Sequence, residues 1–176
     1  SAMILWMMGY PDRALQRGLQ AVDLAKTVNH PYSLAYALYH AGFIYHWRRD
    51  VELSLSYAQT LLEVAEKQKF QIWHAVGTCL HGFACAALGK AEEGLAQIQL
   101  GMELYQGLVS PPVFWPLLRS MQAEVCLLAG KPEQGLAYLD EVMAVSAEGY
   151  GKVLTVDSYR TKGDLLLALQ SGNEPK

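Results

Sequence analysis

Apolar residues recur at helical intervals along most of the chain. Three runs show the pattern most clearly: Leu15, Leu19, Val22 and Ala25; Leu55, Ala58, Leu61, Leu62 and Ala65; and Leu136, Leu139, Val142 and Met143. Steps of three and four residues place these side chains on one face of an α-helix. The pattern therefore predicts amphipathic helices that begin just before each run.

A short motif opens each of these helices, and it occurs four times. The copies are GYPDRAL at 9–15, RDVELSL at 49–55, GKAEEGL at 89–95 and GKPEQGL at 130–136. The spacing of their final leucines is almost constant: Leu15, Leu55, Leu95 and Leu136. Each copy starts with a helix breaker and carries an acidic residue at the second helical position, which suits the positive end of a helix dipole. The motif marks a helix N-terminus, and the chain has a regular internal repeat with a period of roughly 40–41 residues.

A second helix fits between successive motifs. We predict these helices at 31–47, 71–88, 113–129 and 152–169, after breaks such as His30-Pro31 and Ser110-Pro111-Pro112. Small residues recur before the motif leucine and again on the second helix, where we expect helix backbones to approach closely: Ala14, Ser54, Gly94 and Gly135, and Gly42, Gly82, Ala123 and Gly163. The prediction is an all-α fold, an α-solenoid of antiparallel helix pairs with about eight helices.

The Gly-Lys pairs of the motif do not form a phosphate-binding loop. Such a loop needs Gly-Lys followed by Ser or Thr, whereas Lys90 precedes Ala91 and Lys131 precedes Pro132. Gly89 and Gly130 instead suit the left-handed residue that ends a helix. We therefore interpret both motifs as turns between helices.

Composition excludes several classes of protein. With 176 residues, 52% of them hydrophobic and 18% charged, the chain should fold. The net charge of −3 and the absence of any Lys/Arg run argue against nucleic acid as a partner. The three cysteines, Cys79, Cys85 and Cys126, are odd in number and lie in apolar helical patterns, which favours free thiols and a cytoplasmic location.

One stretch meets the length of a membrane span. Residues 70–89 contain no Asp, Glu, Lys or Arg, and about 20 such residues can cross a bilayer. Polar residues interrupt the stretch, among them Gln71, His74 and His81, and it lies in register with the repeat. We therefore expect a buried helix and no membrane partner.

The sequence offers no clear catalytic or metal site. HExxH, CxxC, GxSxG, GxGxxG and SxxK are all absent. His40, His46, His74 and His81 have no cysteine or carboxylate beside them at ligand spacing, so packing explains them better than metal binding. We expect no enzyme activity, no metal and no cofactor.

The repeat resembles the tetratricopeptide repeat (TPR), a helix–turn–helix unit with small residues on both helices and Gly in the turn. Matching positions are Gly42, Tyr45, Ser54 and Ala58; Gly82, Gly89, Gly94 and Gly101; and Ala123, Gly130 and Gly135. The chain departs from the TPR pattern in its period, which is longer than the usual period of about 34 residues. Arg49 replaces a turn glycine, and Cys85 and Cys126 replace the aromatic residue found at Tyr45.

The longer period, with stretches such as HPYSLAYAL and YRTKGDLLLAL, is similar to the C-terminal helical region of large bacterial signalling proteins. These proteins combine a signal-transducing ATPase with a class III adenylate–guanylate cyclase or a transcriptional output domain. The resemblance implies a non-catalytic interaction and regulatory scaffold with an attached or neighbouring ATPase or cyclase domain. On this interpretation residues 1–2 are an expression-tag remnant, and 3–176 form one repeat domain of a longer protein. Apolar faces at both ends predict a possible homodimer.

In TPR superhelices the first helix of each pair lines a concave groove, so the resemblance also implies a site for a protein or peptide segment. The mapped partner-binding residues are Tyr36, Tyr39, Phe43, His46, Trp73, Val76, Phe83, Glu124, Asp157, Arg160 and Asp164. The aromatic half would anchor the partner and the charged half would add specificity. Substituting Tyr39 and Phe43 would then abolish capture without loss of helix.

Two alternatives remain open at this point. The aromatic residues could pack within the superhelix, against a neighbouring domain or against a second copy of the chain. The region around Tyr39, Trp73 and His74 could also form the pocket of a small-molecule sensor.

Overall fold

The structure is a computed structural model, and it describes residues 2–108, 114–147 and 155–172. These ranges contain nine α-helices and no strand, so the all-α prediction is confirmed. The helices are α1 (Ala2–Met7), α2 (Pro11–Thr27), α3 (Pro31–Arg48), α4 (Val51–Gln68), α5 (Gln71–Ala87), α6 (Ala91–Gln106), α7 (Trp115–Leu128), α8 (Pro132–Ala147) and α9 (Thr155–Gly172).

The four motifs open helices as predicted. α2, α4, α6 and α8 begin at Pro11, Val51, Ala91 and Pro132. The intervening helices α3 and α5 begin at the predicted residues 31 and 71 and end within one residue of the predicted positions. The predicted starts at 113 and 152 lie outside the described residues. α9 extends three residues beyond the predicted end at 169.

A residue with positive φ follows most of the helices. These residues are Gly9, Asn29, Arg49, Lys69, Gly89 and Gly130. The first five are evenly spaced along the chain, so each repeat consists of two half-units of equal length. The prediction for Gly89 and Gly130 is confirmed. The same conformation at a residue with a Cβ costs roughly 1 kcal/mol, which means that other contacts must hold Asn29, Arg49 and Lys69 in place.

The helices form two layers. Each helix packs on the next one along the chain, and α3, α5, α7 and α9 also pack on the preceding odd-numbered helix. In the described residues, the even-numbered helices do not pack on each other to a comparable extent. Because the odd-numbered layer is the more closely spaced, we infer that the stack curves with these helices on its inner side. The side chains of this inner layer are therefore the ones that line a groove.

Backbone contact between glycines joins α5 to α6. A Cβ on Gly94 would lie 2.6 Å from the Cβ of Ala86, and a Cβ on Gly82 would lie 2.7 Å from the backbone nitrogen of Ile98. The close approach predicted at these two positions is confirmed. Gly163 differs, because a Cβ there would meet no described atom within 4 Å. The described residues contain no helix after α9 that could pack against this position.

Candidate functional site

The aromatic residues of the predicted groove lie mainly in the core. Tyr39, Phe43, Trp73, Val76 and Phe83 are all buried. Substituting Tyr39 or Phe43 would therefore remove core packing. Because both side chains are buried, such a substitution should also reduce helix content, contrary to the expectation from the sequence. Burial leaves these side chains little surface for a partner in this conformation.

Tyr36 is the exposed member of this aromatic group, with 51% of its surface accessible. Its ring lies edge-on to that of Trp73, with centroids 5.6 Å apart, and Tyr32 makes an equivalent contact at 5.6 Å. Tyr32 also packs against Phe70. Two half-exposed tyrosines thus cover one side of the buried Trp73, and we call Tyr32 and Tyr36 the aromatic rim.

Phe114 fills the space next to Tyr39 and Trp73. Its ring centroid lies 4.9 Å from that of Tyr39 and 5.9 Å from that of Trp73. The backbone N–H of Phe114 donates a hydrogen bond of 3.0 Å to the hydroxyl oxygen of Tyr105. Phe114 immediately precedes α7 and so brings an aromatic ring from the third repeat between α3 and α5. We call the space bounded by Tyr39 and Trp73 and filled by Phe114 the aromatic slot.

The two residues that bound the aromatic slot each carry an unsatisfied polar atom. Within the described residues, neither the hydroxyl oxygen of Tyr39 nor Nε1 of Trp73 has a hydrogen-bond partner, although both atoms are buried. Burial raises the pKa of the Tyr39 hydroxyl well above its ordinary value, so the group stays protonated and can donate. A buried donor without an acceptor costs about 1–3 kcal/mol.

The charged half of the predicted groove is a closed cluster around Glu124 on α7. Arg49 approaches this carboxylate with both terminal nitrogens, at 3.0 and 3.4 Å, and Arg160 on α9 donates to it at 2.9 Å. The hydroxyl of Thr161 donates to it at 3.4 Å. Only 13% of the Glu124 side chain is exposed. The cluster ties the inner-layer helices α7 and α9 to the end of α3.

The charges around Glu124 determine its protonation state. Burial would raise the pKa of the Glu124 carboxyl, but its interactions with His46, Arg49 and Arg160 lower it, and the net direction is down. Asp157 shows the opposite result, because burial and the nearby Glu124 raise its pKa against the effect of Arg160. Glu124 is therefore the anion that holds the cluster together.

His46 lies beneath Glu124 with 5% of its surface exposed. Its Nε2 is 3.6 Å from the carboxylate, and its ring packs edge-on against Phe83 with centroids 4.1 Å apart. Burial lowers the pKa of His46 to about 4, although the charge of Glu124 acts in the opposite direction. His46 is thus neutral near pH 7, and its Nδ1 has no hydrogen-bond partner among the described residues.

The structure brings together His46, Glu124, Asp157 and Arg160 from the predicted set. Asp164 is exposed further along α9. Arg49, which sequence reasoning treated only as a departure from the turn glycine, is a central member of the cluster. The sequence did contain a clue to this role of Arg49, because a long cationic side chain at a position that favours glycine needs a compensating contact.

Trp73 and His74 do not share a pocket. Trp73 points into the core toward α3, whereas His74 lines a separate cavity of about 650 Å³. This cavity lies between the C-terminal ends of α4 and α6 and the start of α5. It combines apolar and ionisable residues: Ala65, Glu66, Lys69, Phe70, Gln71, His74, Glu103, Leu104, Gly107 and Leu108. The sensor pocket proposed around Tyr39, Trp73 and His74 is therefore not assembled in this form.

Cys85 and His81 form a contact that superficially resembles a catalytic pair. The Cys85 sulfur lies 3.5 Å from Nδ1 of His81, and the side-chain oxygen of Gln97 contacts the same nitrogen. A catalytic relay needs the orienting group on the opposite ring nitrogen. Burial also raises the pKa of the Cys85 thiol, which disfavours the nucleophilic thiolate. The arrangement fits packing better than catalysis.

Within residues 2–108, 114–147 and 155–172, no group of three or more His, Cys, Asp or Glu side chains is placed to hold a metal ion. No described helix combines the length and apolar character needed to cross a bilayer.

Comparison with known proteins identifies the fold. No protein-family model and no curated protein matches the chain. Several solved structures are similar, and two of them contain the nearly identical TPR-like repeats of a kinesin-light-chain-like protein from Podosopora anserina. The first has a TM-score of 0.58 and 12% identity, covering 99% of this chain and 94% of that one. The second, a single-substitution variant, has a TM-score of 0.58 and 15% identity over 96% and 86%. The chain is thus an α-solenoid of TPR-like helix pairs, and at this identity the similarity concerns the fold alone.

Proposed function

We propose that the chain is a non-catalytic protein–protein interaction and regulatory scaffold. The observation that carries this proposal is the aromatic rim on the inner layer of a TPR-like stack. Tyr32 and Tyr36 are half exposed yet held by ring contacts with Trp73. Exposed aromatic side chains with restricted mobility supply much of the binding energy in protein interfaces.

The setting that we propose is a bacterial cytoplasmic signalling protein. The period and the residue pattern of the repeat support an attached or neighbouring ATPase, class III cyclase or transcriptional output domain. The scaffold signals to this domain that a partner has bound. Reading the coding sequence on both sides of this segment tests the setting. An ATPase or cyclase domain in the same reading frame, or in an adjacent gene, supports it, and unrelated neighbours refute it.

Site-specific photo-crosslinking tests the interaction function. A photoreactive phenylalanine at Tyr36 should form a covalent adduct with a protein partner in lysate of the source organism, and mass spectrometry should identify the same partner in independent preparations. Leu100 on the outer helix α6 is the matched control position, because 50% of its surface is exposed. Its substitution by the same amino acid should give no such adduct.

Equal adducts from both positions would indicate non-specific capture and would refute the assignment to the inner layer. Absence of any adduct at Tyr32 and Tyr36, with lysate and with each neighbouring domain added as purified protein, would refute the proposed function itself. Light scattering of the same samples tests the predicted homodimer.

A second candidate function is small-molecule sensing at the cavity beside His74. Its volume of about 650 Å³ lies within the range of ligand pockets, and it combines apolar walls with a few polar groups. A ligand at about 100 times its dissociation constant adds roughly 2.7 kcal/mol to the free energy of unfolding. A metabolite panel that raises the melting temperature, and a His74→Ala variant that loses the response, would support this candidate. A flat response would exclude it.

A further inference from the structure

The residues that bound the aromatic slot carry hydrogen-bond donors, whereas the side chain that fills it carries no acceptor. Tyr39 and Trp73 each present a buried donor that lacks an acceptor among the described residues. The side chain that fills the slot, Phe114, has no acceptor to offer. Buried polar groups in proteins are nearly always paired, so each unpaired one calls for a physical explanation. Both donors belong to side chains whose rings pack against Phe114, which points to a ligand that is richer in acceptors than phenylalanine's side chain.

We propose that the aromatic slot is a binding site for an aromatic side chain of a partner segment, and that Phe114 occupies this site in the unbound chain. The partner's backbone carbonyl beside its aromatic residue accepts hydrogen bonds from Trp73 Nε1 and the Tyr39 hydroxyl. This inference rests on the proposed function, because it names the chemistry that the inner layer recognises.

The ring geometry explains why the occupant is aromatic. Phe114 lies edge-on to Tyr39, at an interplanar angle of 67°, and tilted by 51° against Trp73. Aromatic pairs in such orientations contribute about 0.5–1.5 kcal/mol beyond the burial of their area. An aliphatic side chain of the same volume would lose this contribution.

The surroundings explain why the acceptor is a neutral carbonyl. The rings that surround the slot carry no charge, since burial keeps the Tyr39 hydroxyl protonated and raises its pKa. A carboxylate placed there would lose its hydration without gaining a cation, which is costly. A peptide carbonyl needs only the two donors that Tyr39 and Trp73 already present. The half-exposed rim residues Tyr32 and Tyr36 pack against the Trp73 ring, so exposed aromatic surface adjoins one wall of the slot.

The test measures binding of N-acetyl-phenylalaninamide to the full chain by nuclear magnetic resonance. This probe carries one phenyl ring and two adjoining carbonyl groups. The indole N–H signal of Trp73 reports hydrogen bonding directly, and it is assigned by its loss in a Trp73→Phe variant. Phe114→Ala empties the slot, and toluene serves as the matched ligand with the ring but without a carbonyl.

We expect the Phe114→Ala variant to bind the probe at least tenfold more tightly than the wild-type chain, because Phe114 no longer competes. It should bind the probe roughly tenfold more tightly than toluene, which corresponds to about one hydrogen bond. On saturation, the Trp73 indole proton should shift further downfield with the probe than with toluene, which contributes only the ring-current shift of its aromatic ring.

Three results would overturn the proposal. Equal affinity of wild type and Phe114→Ala would place the probe elsewhere, equal affinity for toluene would show an ordinary cavity, and a Trp73 signal that shifts no further downfield than with toluene would show that no acceptor reaches the donor. If Phe114→Ala does not fold, Phe114→Leu replaces it, with the same ranking expected. The probe experiment needs no natural partner. A negative result would therefore refute the aromatic slot as a binding site, while the crosslinking experiment would still test the scaffold function separately.

Discussion

Acidification should destabilise the fold because burial of His46 opposes its protonation. The unfolded chain has an ordinary histidine pKa of 6.5 at this position, whereas burial lowers the folded pKa to about 4. Below about pH 6.5 the unfolded chain therefore binds a proton that the folded chain does not. The free energy of unfolding falls as the pH decreases from about 6.5 to about 4.

The size of the effect follows from the pKa difference. One unit is worth about 1.36 kcal/mol, so the full effect of His46 is about 3 kcal/mol, and about 2 kcal/mol of it is lost between pH 7 and pH 5. Burial also lowers the pKa of His40, so this residue further decreases the free energy of unfolding as the pH falls. The lowered pKa of Glu124 stabilises the fold while the carboxylate is ionised, and this stabilisation is lost when the carboxylate becomes protonated at lower pH.

Urea unfolding followed by circular dichroism at pH 7 and pH 5 measures this loss. The matched variants are His46→Phe, which keeps a ring against Phe83 but cannot be protonated, and His40→Phe. We expect His46→Phe to reduce the decrease in the free energy of unfolding between pH 7 and pH 5 by about 2 kcal/mol. His40→Phe should leave the contribution of His46 to this decrease unchanged. A wild-type chain equally stable at both pH values, or a His46→Phe variant that retains the full loss, would refute the reasoning.

Two further predictions use matched pairs of substitutions, each read by urea unfolding. Gly94→Ala should destabilise the fold by about 2 kcal/mol because its Cβ would press against Ala86 and the backbone of α5, whereas Gly163→Ala should stabilise it by roughly 0.5–1 kcal/mol because its Cβ meets open space. Similar effects from both changes would contradict the packing of α5 on α6. Arg49→Gly should destabilise the fold because it breaks the ion pair with Glu124, whereas Lys69→Gly at the same turn position should be neutral or stabilising by about 1 kcal/mol. If Arg49→Gly proved as stable as Lys69→Gly, the Glu124 cluster would contribute nothing to stability.

The fold could be predicted from the sequence because its signals are local and repeated. Helix starts carry Pro or an acidic residue at fixed positions, and four copies reinforce one another. The division of each repeat into two equal half-units was harder to detect, because Asn29, Arg49 and Lys69 end helices with the same backbone conformation as Gly89. Glycine identifies such a turn in a sequence, whereas other residues adopt it only when tertiary contacts compensate.

The candidate site was less predictable because burial depends on residues far away in the chain. Sequence reasoning placed Tyr39 and Trp73 on the inner layer, but it could not show that Phe114 would cover both. The charged cluster also depends on contacts between residues that are distant in the chain. Glu124 contacts Arg49, 75 positions away, and Arg160, 36 positions away. Helical periodicity assigns a residue to a face, and only the packing of successive repeats decides which faces remain open.

We propose that the inner layer of odd-numbered helices is the binding face. Hydrogen–deuterium exchange of the chain, with and without the partner identified by crosslinking, tests this proposal most directly. We predict slower exchange at the N-terminal turns of α3 and α5, which carry Tyr32, Tyr36 and Trp73, with little change in α4 and α6. Protection confined to α4 and α6 would show that the partner binds the outer layer instead.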